Sequence, residues 1–282
     1  MTDTERKPPW IKYSIPGGEE YVRVKKTVQG LWLHTICTEA QCPNCGECFG
    51  RGTATFLILG NICTRNCRYC AVTHGIPLPP DFSEPERIAE AVNILGLKYA
   101  VITSVTRDDL PDGGAGIFTE TCRLIRESKP DCRVELLVPD FIHSTEHSLE
   151  TILKQKVHVL NHNLETVREF FPELRPEGDY DHSLRLISLA AGMGAKVKSG
   201  LMIGFGEKME QIRSSMEDLA SAGCKIITVG QYISPGKNYH KVEKYYHPDE
   251  FEEIRMTGLD LGFERVLSGP NVRSSYLAET ET

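Results

Sequence analysis

Seven short apolar runs recur along the chain after residue 53, each rich in Val, Ile, Leu or Thr. They are ATFLIL (54–59), YAVITSV (99–105), RVELLV (133–138), VHVL (157–160), KVKSGLMIG (196–204), KIITVG (225–230) and ERVL (264–267). Short continuous runs of this composition are typical of parallel strands buried on both faces. The pattern therefore predicts a mainly parallel sheet.

Amphipathic segments separate these runs and predict helices over residues 83–95, 182–194 and 209–223. The first would begin with a capping box formed by Ser83 and Glu86, and the other two end at glycines suited to helix C-caps. Strand and helix alternate about six times, which predicts an α/β fold. The spacing favours a partial (β/α)6 TIM-type barrel, with an open doubly wound sheet as the alternative.

The pattern predicts three regions. They are an N-terminal arm and Cys-rich segment (1–52), the barrel (53–262) and a C-terminal extension (263–282). Residues 1 to about 30 are polar with several Pro and Gly, which predicts an extended arm, and the Cys-rich segment 37–52 is predicted to be a loop. In barrels of this kind the chemistry lies at the C-terminal ends of the strands.

Composition removes several functional classes. The formal net charge of −7 disfavours general nucleic-acid binding. No run of about 18 apolar residues is present, so a membrane-spanning helix is not expected. The N-terminal segment lacks the apolar core of a secretory signal. We therefore expect a cytoplasmic protein.

Ten cysteines are the main chemical signal, and seven of them lie between residues 37 and 70. Clustered thiols in a reducing compartment indicate metal ligands rather than disulfides. The other three lie in apolar settings and are interpreted as core residues. These three are Cys122, Cys132 and Cys224.

Two ways of sorting the seven thiols remain open at this point. Cys45-x2-Cys48 with Cys67-x2-Cys70 has the spacing of a structural zinc ribbon. That arrangement leaves three thiols without a role and places a predicted strand inside the ribbon. The other sorting gives two triplets of thiolates, the usual ligands of iron–sulfur clusters. Three thiolates per cluster leave one iron open for a small molecule. The triplets are Cys37, Cys42, Cys48 and Cys63, Cys67, Cys70.

At the second triplet, CTRNCRYC (63–70), the chain resembles the radical S-adenosylmethionine (SAM) enzymes. The resemblance implies a [4Fe–4S] cluster on Cys63, Cys67 and Cys70 whose free iron binds SAM. The first triplet, CTEAQCPNCGEC (37–48), and RSSY (273–276) narrow the resemblance to the lipoyl synthases. Further matching stretches are TSVTRDDLPDGGA, NHNLETV, KSGLMIGFGE, GQYISP and YYHPDEF.

The resemblance to lipoyl synthases implies a sulfurtransferase that inserts sulfur at C6 and C8 of a protein-bound N6-octanoyl-lysine. Side chains alone do not break unactivated C–H bonds, so cofactors are required. The implied cofactors are SAM and two [4Fe–4S] clusters, of which the auxiliary one supplies the sulfur. The implied partners are octanoylated carrier domains (2-oxoacid dehydrogenase E2 subunits and the glycine cleavage H protein), an electron donor such as ferredoxin or flavodoxin, and an iron–sulfur carrier.

The resemblance also implies individual roles. Ser275, the second serine of RSSY, would be the fourth ligand of the auxiliary cluster on Cys37, Cys42 and Cys48. Without the resemblance, this segment would be interpreted as an exposed tail. Other polar residues lie in or after predicted strands and are candidates for contact with SAM or substrate. These candidates are Asn161, Asn163, Glu165, Lys198, Arg107 and Asp108. Without the resemblance, Asn161, Asn163 and Glu165 would be interpreted as a polar helix cap, and Lys198, within a predicted strand, as a solvated lysine.

Two positions depart from the family pattern. Cys45 lies inside the auxiliary triplet as an extra thiol, interpreted as a bystander, with an alternative ligand or a site of oxidation left open. GFGEK (204–208) replaces the more usual GLGE followed by Thr or Ser. Two rival functions also remain: a biotin synthase-like enzyme, and a non-catalytic zinc or electron-carrying protein.

Overall fold

The computed structural model describes residues 7–276 and residue 278. Two compact units make up this part of the chain. The N-terminal unit comprises Tyr13–Arg65, Ala71–Asn161 and Ala278, and the C-terminal unit comprises residues 7–12, Asn66–Cys70 and His162–Tyr276. The predicted division at residues 52 and 262 stays a prediction, and its parts at residues 1–6, 277 and 279–282 lie outside the described residues.

The N-terminal unit contains helices and strands in alternation. Its helices are α1 (Glu19–Gly30), α2 (Ile36–Glu39), α3 (Cys45–Gly50), α4 (Glu84–Leu95), α5 (Ala115–Ser128) and α6 (Thr145–Leu153). Its strands are β1 (His34–Thr35), β2 (Thr55–Ile58), β3 (Ile62–Cys63), β4 (Thr73–His74), β5 (Tyr99–Ser104), β6 (Arg133–Leu137) and β7 (Val159–Asn161).

The sheet of the N-terminal unit runs in the order β1-β2-β5-β6-β7. β1 is antiparallel to β2, and the other neighbours are parallel, with Thr55 opposite Val101 and Glu135 opposite Val159. Every residue of β2 is buried, because helices cover a parallel sheet on both faces. A separate parallel ladder joins β3 to β4, directly at Cys63.

The C-terminal unit repeats the alternation. Its helices are α7 (Phe171–Leu174), α8 (Tyr180–Gly192), α9 (Met209–Ser221) and α10 (Pro248–Asp260), and its strands are β8 (Val197–Ile203), β9 (Ile226–Gln231) and β10 (Arg265–Gly269). The three strands are parallel in the order β8-β9-β10. Gly194 and Gly223, just beyond α8 and α9, have φ of 86° and 89°, so the predicted glycine stops are confirmed.

Three local predictions were wrong. Residues 19–30 form helix α1 rather than an extended arm, with Val24 and Val28 buried one turn apart. The Cys-rich segment contains the short helices α2 and α3 rather than loop alone. Ser83 does not cap α4 with its side chain; instead, its own N–H and hydroxyl donate to the Asp81 carboxylate, at 2.9 and 2.7 Å.

No helix within the described residues is long and apolar enough to cross a membrane. The three isolated cysteines are confirmed as core residues, since the exposed fractions of Cys122, Cys132 and Cys224 are 2%, 9% and 3%.

Candidate functional site

The first thiol triplet lies on the α2–α3 segment of the N-terminal unit, which hydrogen bonds hold in place. The Thr35 hydroxyl accepts the Thr38 N–H at 3.3 Å and so caps α2. The Cys42 N–H donates to the Cys37 carbonyl at 3.1 Å. The Cys48 carbonyl accepts both the N–H and the hydroxyl of Thr53, at 2.9 and 3.0 Å. These bonds hold three thiols, which span twelve residues of the sequence, on one folded segment.

The thiols of this segment act on one another electrostatically. Burial raises the pKa of Cys37 well above its ordinary value of 9.0, and the neighbouring Cys42, Cys48 and Cys45 raise it further. Burial also raises the pKa of Cys45, with Cys42 adding to the rise and Lys25 opposing it. Such thiols lose their protons readily only when a positive charge such as iron is bound beside them.

Cys63, in β3, begins the second triplet, and the N-terminal unit anchors this part of the loop. The Arg65 N–H donates to the Cys63 sulfur at 3.4 Å. The Arg65 guanidinium is buried and donates to both oxygens of Asp108, at 2.6 and 3.1 Å, and to Asp140. Burial lowers the pKa of Arg65, but these carboxylates outweigh it and raise the pKa above its usual value. The planar, permanently charged Arg65 guanidinium therefore holds this loop against Asp108, which follows β5, and Asp140, which follows β6.

Cys67 and Cys70 belong to the C-terminal unit, where apolar and backbone contacts hold the loop. The Arg68 N–H donates to the Leu174 carbonyl at 2.9 Å, and the Arg68 carbonyl accepts the His240 N–H at 2.9 Å. Tyr69 packs with Phe205 at a ring-centroid distance of 6.4 Å. Burial raises the pKa of Tyr69 well above its ordinary value, with Cys67 and Glu165 adding to the rise.

The departure at GFGE has a clear structural consequence in the C-terminal unit. Phe205 is 2% exposed and stacks on Tyr232 at 4.3 Å, within a cluster that includes Leu174 and Tyr69. Glu207 closes the turn because its carboxylate accepts the N–H groups of Gly204 and Phe205, at 2.5 and 2.9 Å. The aromatic residue therefore packs under the thiol-bearing loop rather than disturbing it.

Asn163 and Glu165 form a polar shelf beside β8. The Asn163 amide donates to the Glu165 carboxylate at 3.1 Å, while its buried Oδ1 has no hydrogen-bond partner in the described structure. Glu165 has φ 74°, and its N–H donates to the Gly200 carbonyl at 2.9 Å. A side chain at Gly200 would meet Asn163 Oδ1 at 2.8 Å, so the glycine keeps this space open. Buried, incompletely satisfied oxygens fit a missing polar ligand.

Asn161 is the last residue of β7 and is fully buried, so it is a strand residue and not a helix cap. Its amide donates to the Glu135 carboxylate at 3.0 Å, and the Tyr99 hydroxyl donates to the same carboxylate at 2.8 Å. The buried Asn161 Oδ1 has no hydrogen-bond partner among the described residues. Asn161 therefore offers a fixed acceptor from the N-terminal unit.

The cationic candidates are buried rather than solvated. Lys198, in β8, is fully buried, so its interpretation as an ordinary solvated lysine is wrong. Arg107 is 2% exposed, pairs with both oxygens of Asp109 at 2.8 Å and donates to the Leu59 carbonyl at 3.4 Å. Asp108 is engaged with Arg65. Contact of these three residues with a cofactor stays a prediction.

Ser275 lies half-buried in the C-terminal unit, in a segment that approaches the end of β9. A side chain at Gly230 would overlap the Val272 carbonyl, which accepts a hydrogen bond from the Arg273 guanidinium at 2.6 Å. The segment therefore lies against a strand and is not a free tail. Ligation by Ser275 stays a prediction.

The donor set fits iron–sulfur clusters. None of the ten cysteines, all of them described, is in a disulfide. Within residues 7–276 and 278, no three His, Cys, Asp or Glu side chains converge as ligands of a single ion. A [4Fe–4S] cluster takes one thiolate on each iron, so its ligands stand apart around it. Closely coupled thiols on one segment are suitable for that arrangement.

Sequence reasoning missed Arg65, Asp140 and Glu135, which hold the candidate residues in place. Arg65 was visible inside the motif, but its partners come from distant strand ends. Glu135 sits in the apolar run RVELLV, where a lone acid was itself a signal, because an unpaired buried charge is costly.

Comparisons with known proteins agree with this chemistry. The model of the radical SAM superfamily matches residues 57–219, and the model for the N-terminal domain of lipoyl synthase matches residues 1–42. A lipoyl synthase of Rubrobacter xylanophilus is 47% identical over 98% of this chain and 86% of its own length. One from Roseiflexus is 49% identical over 97% of this chain and 91% of its own length.

Solved structures show the same fold at low identity. Methylornithine synthase is 13% identical with a TM-score of 0.57, over 89% of this chain and 87% of that one. Streptococcus suis SuiB bound to S-adenosylmethionine is 15% identical with a TM-score of 0.58, over 76% of this chain and 49% of that one. These likenesses confirm the predicted α/β partial barrel of the radical SAM type.

Proposed function

The chain belongs to the lipoyl synthase family of radical SAM enzymes, and on that premise we propose which residues hold the cofactors and which partners it serves. It is a sulfurtransferase that converts octanoylated lipoyl domains to their lipoylated form, and the family uses SAM and two [4Fe–4S] clusters. The observation that carries the assignment is about 47% identity over 98% of the chain with both thiol triplets present. This similarity displaces the biotin synthase-like, zinc-protein and electron-carrier alternatives.

Cys37, Cys42 and Cys48 hold the auxiliary cluster in this proposal, with Ser275 as the fourth ligand. The backbone contacts that tie Cys42 to Cys37 and Thr53 to Cys48 on one segment support the set. Cys45 is a bystander in this proposal. An alkoxide is a harder and more labile partner for iron than a thiolate, so Ser275 suits a cluster that is opened to give up sulfur.

Cys63, Cys67 and Cys70 hold the cluster that binds SAM. When bound, the two clusters and SAM supply the hydrogen abstraction and the sulfur that no side chain offers. The protein contributes position: Arg65 fixes the loop by charge, and Tyr69 fixes it by packing. Polar groups supported in this way keep a site close to its productive geometry.

Asn161, Asn163 and Glu165 bind SAM in this proposal through amide and carboxylate contacts to ribose hydroxyls. Support comes from the two buried amide oxygens that have no hydrogen-bond partner in the described structure. Lys198 pairs with the carboxylate of SAM in this proposal; it is completely buried, and a buried ammonium interacts more strongly with an anionic group than an exposed one does. Arg107 and Asp108 support the neighbouring loop and remain candidates for direct contact.

The specific partners are also part of the proposal. They are E2 subunits of 2-oxoacid dehydrogenases, the glycine cleavage H protein, an electron donor such as ferredoxin or flavodoxin, and an iron–sulfur carrier that rebuilds the spent cluster. A reducing cytoplasm suits the protein, because thiols that bind iron must not oxidise to disulfides.

Anaerobic turnover tests this function. The reconstituted protein, SAM and a strong reductant should convert an octanoylated carrier domain to the lipoylated form. The intact mass should show a gain of two sulfurs for the dithiol that the reductant maintains, and a further loss of two hydrogens after oxidation to the disulfide. Octanoylated carrier that remains unchanged while SAM is cleaved would contradict the assignment.

A Ser275→Cys variant tests the labile ligand. We expect iron loading close to that of wild type and at least about a tenfold slower sulfur transfer, because a thiolate holds its iron more firmly. Cys45→Ser serves as the matched control and should turn over at the wild-type rate. Normal turnover of Ser275→Cys would contradict the role given to the serine.

A further inference from the structure

An apolar cavity of about 390 Å³ opens on the N-terminal unit. Its apolar lining comes from three short segments: the turn after α1, the loop between β2 and β3, and the Pro-rich stretch before α4. The apolar lining residues are Trp32, Leu59, Ile62, Pro77, Leu78 and Pro79. This volume lies in the range of small-molecule sites.

Most polar groups that line the cavity are engaged with other protein groups, although the buried Arg87 Nε has no hydrogen-bond partner among the described residues. The His34 ring lies 3.2 Å from the Glu39 carboxylate, and the Asn61 amide donates to the same carboxylate at 3.4 Å. Glu84 accepts the Leu59 N–H at 2.7 Å. Arg87 and Asp81, which also line the cavity, pair with each other at 2.8 Å. The surface left for an occupant is therefore mainly hydrocarbon.

The rim of the cavity exposes large apolar side chains. Trp32 is 84% exposed and Leu78 is 77% exposed, and Ile76 and Phe82, close to Leu78 in the chain, are 94% and 80% exposed. Exposed apolar surface of this kind marks interaction sites, where tryptophan is a frequent anchor. The prolines beside Leu78 fix the backbone of the rim, which lowers the entropy cost of docking.

Backbone strain coincides with the same cavity. Trp32 and Leu59 have φ of 53° and 67°, a left-handed conformation that is unfavourable for both side chains. At Trp32 this conformation belongs to the C-terminal cap of α1, where the Leu33 N–H donates to the Val28 carbonyl at 2.9 Å. The cap fixes the backbone of Trp32 at the edge of the cavity.

Two walls of the cavity are continuous in sequence with the segments that carry Cys37 and Cys63, the first thiols of the two triplets. His34 belongs to β1, which runs into α2 and Cys37, and Ile62 immediately precedes Cys63. Glu39 connects the two walls, because it contacts His34 on one side and Asn61 on the other. The Gly75 N–H donates to the Cys63 carbonyl at 2.9 Å, so the exposed stretch that follows is tied to the thiol loop.

We propose that this cavity receives the octanoyl chain and that its rim residues Trp32 and Leu78, with the exposed Ile76 and Phe82 near Leu78 in the chain, form the docking surface for the carrier domain. The proposal rests on the proposed function and names the place where its substrate binds. Eight chain carbons, each counted as about one water volume of ~30 Å³, occupy roughly 240 Å³, which the cavity accommodates. The charged lining residues pair with protein groups and leave mainly apolar surface, which suits an alkyl chain. Carbons to be sulfurated must also reach the segments that carry the thiols.

Binding without turnover tests the proposal. Holoprotein carrying both clusters, with SAM but no reductant, is titrated with an octanoylated carrier domain that lacks tryptophan. Trp32→Ser and Leu78→Ser should each raise the Kd at least about tenfold. Met256→Ser, which changes an apolar side chain of the C-terminal unit that is 47% exposed, serves as the matched control and should leave the Kd unchanged. Wild-type Kd values in both rim variants would overturn the proposal.

A second experiment retains Trp32 and uses its fluorescence to detect binding. The chain has two tryptophans, so Trp10→Phe leaves Trp32 as the sole emitter. Binding of the octanoylated carrier should shift the fluorescence emission of Trp32 to shorter wavelength. The unmodified carrier should bind at least about tenfold more weakly than the octanoylated one. Equal binding of both carriers, or no shift, would overturn the proposal. So would a dimer that dissociates on Trp32→Ser, because a second copy would then cover the rim. Failure of wild type to convert the carrier would instead contradict the proposed function.

Discussion

Arg65 shows how a single residue can place a reactive loop. It stands between Cys63 and Cys67 in the sequence, and its guanidinium binds Asp108 and Asp140 in a buried setting. A lysine keeps the charge but not the planar fork that engages two carboxylates. The position therefore requires the geometry of arginine and not only its charge.

Arg65→Lys should lower the free energy of unfolding of the apoprotein by about 2 kcal/mol, because one carboxylate of a buried ion network loses its close partner. Urea unfolding measures the change. Arg123→Lys on α5, whose pairs with Glu120 and Glu127 are on the surface, is the control and should not move the midpoint. Equal midpoints for the two variants would show that Arg65 does not anchor the loop.

The raised pKa of Cys37 predicts how iron loading depends on pH. Iron must displace protons from neutral thiols, so loading of the auxiliary site should strengthen as pH rises, by up to about tenfold per pH unit for each proton released. The Cys63/Cys67/Cys70→Ala variant isolates that site for anaerobic iron titration between pH 7 and 8.5. Loading that does not change with pH would contradict a protonated Cys37.

The raised pKa of Cys37 also determines whether the stability of the apoprotein rises or falls with pH. A thiol whose pKa is raised in the folded state keeps its proton when the unfolded thiol, near 9.0, has lost it. Stability of the apoprotein from this source is therefore complete below pH 9 and falls as pH rises above it.

At the scale of elements, the close approach of Asn163 to strand β8 requires a glycine at position 200. Gly200→Ala would bring a Cβ within 2.8 Å of Asn163 Oδ1 and 2.9 Å of the Thr228 hydroxyl. We expect the Kd for SAM to rise at least about tenfold and the stability to fall by about 1–3 kcal/mol, since a tight contact must relax. Gly30→Ala, with open space around the new Cβ, is the control. Unchanged SAM binding in Gly200→Ala would remove Asn163 from the site.

The elements that could be predicted were those whose pattern depends on burial. Parallel strands such as β5 and β9 are continuous apolar runs because the sheet is covered on both faces, and the sequence shows that directly. Helix α1 was missed because few apolar residues mark its buried face, of which Val24 and Val28 are the core, and because Pro16 and two glycines precede it. The Ser83 cap was wrong because the Ser83 hydroxyl donates to Asp81 at 2.7 Å and accepts the Arg87 guanidinium at 2.5 Å instead of a backbone N–H.

At the scale of the whole molecule, the spacing of the thiols predicted iron–sulfur clusters. The combination of the first triplet with RSSY predicted the lipoyl synthase family. The supporting partners could not be predicted, because Asp140 and Glu135 reach the site only through the fold. The apolar cavity could not be predicted either, since its walls come from separate segments around residues 32, 60 and 78. Long-range placement of this kind leaves no periodic signal in the sequence.

The central claim is that two separate thiol triplets hold two [4Fe–4S] clusters. Anaerobic reconstitution followed by iron, sulfide and zinc analysis tests it most directly, on wild type and on the Cys37/Cys42/Cys48→Ala variant. We predict about eight irons in wild type and about four in the variant, with matching sulfide and little zinc. One zinc with little iron in wild type, or the same iron content in both proteins, would contradict the account.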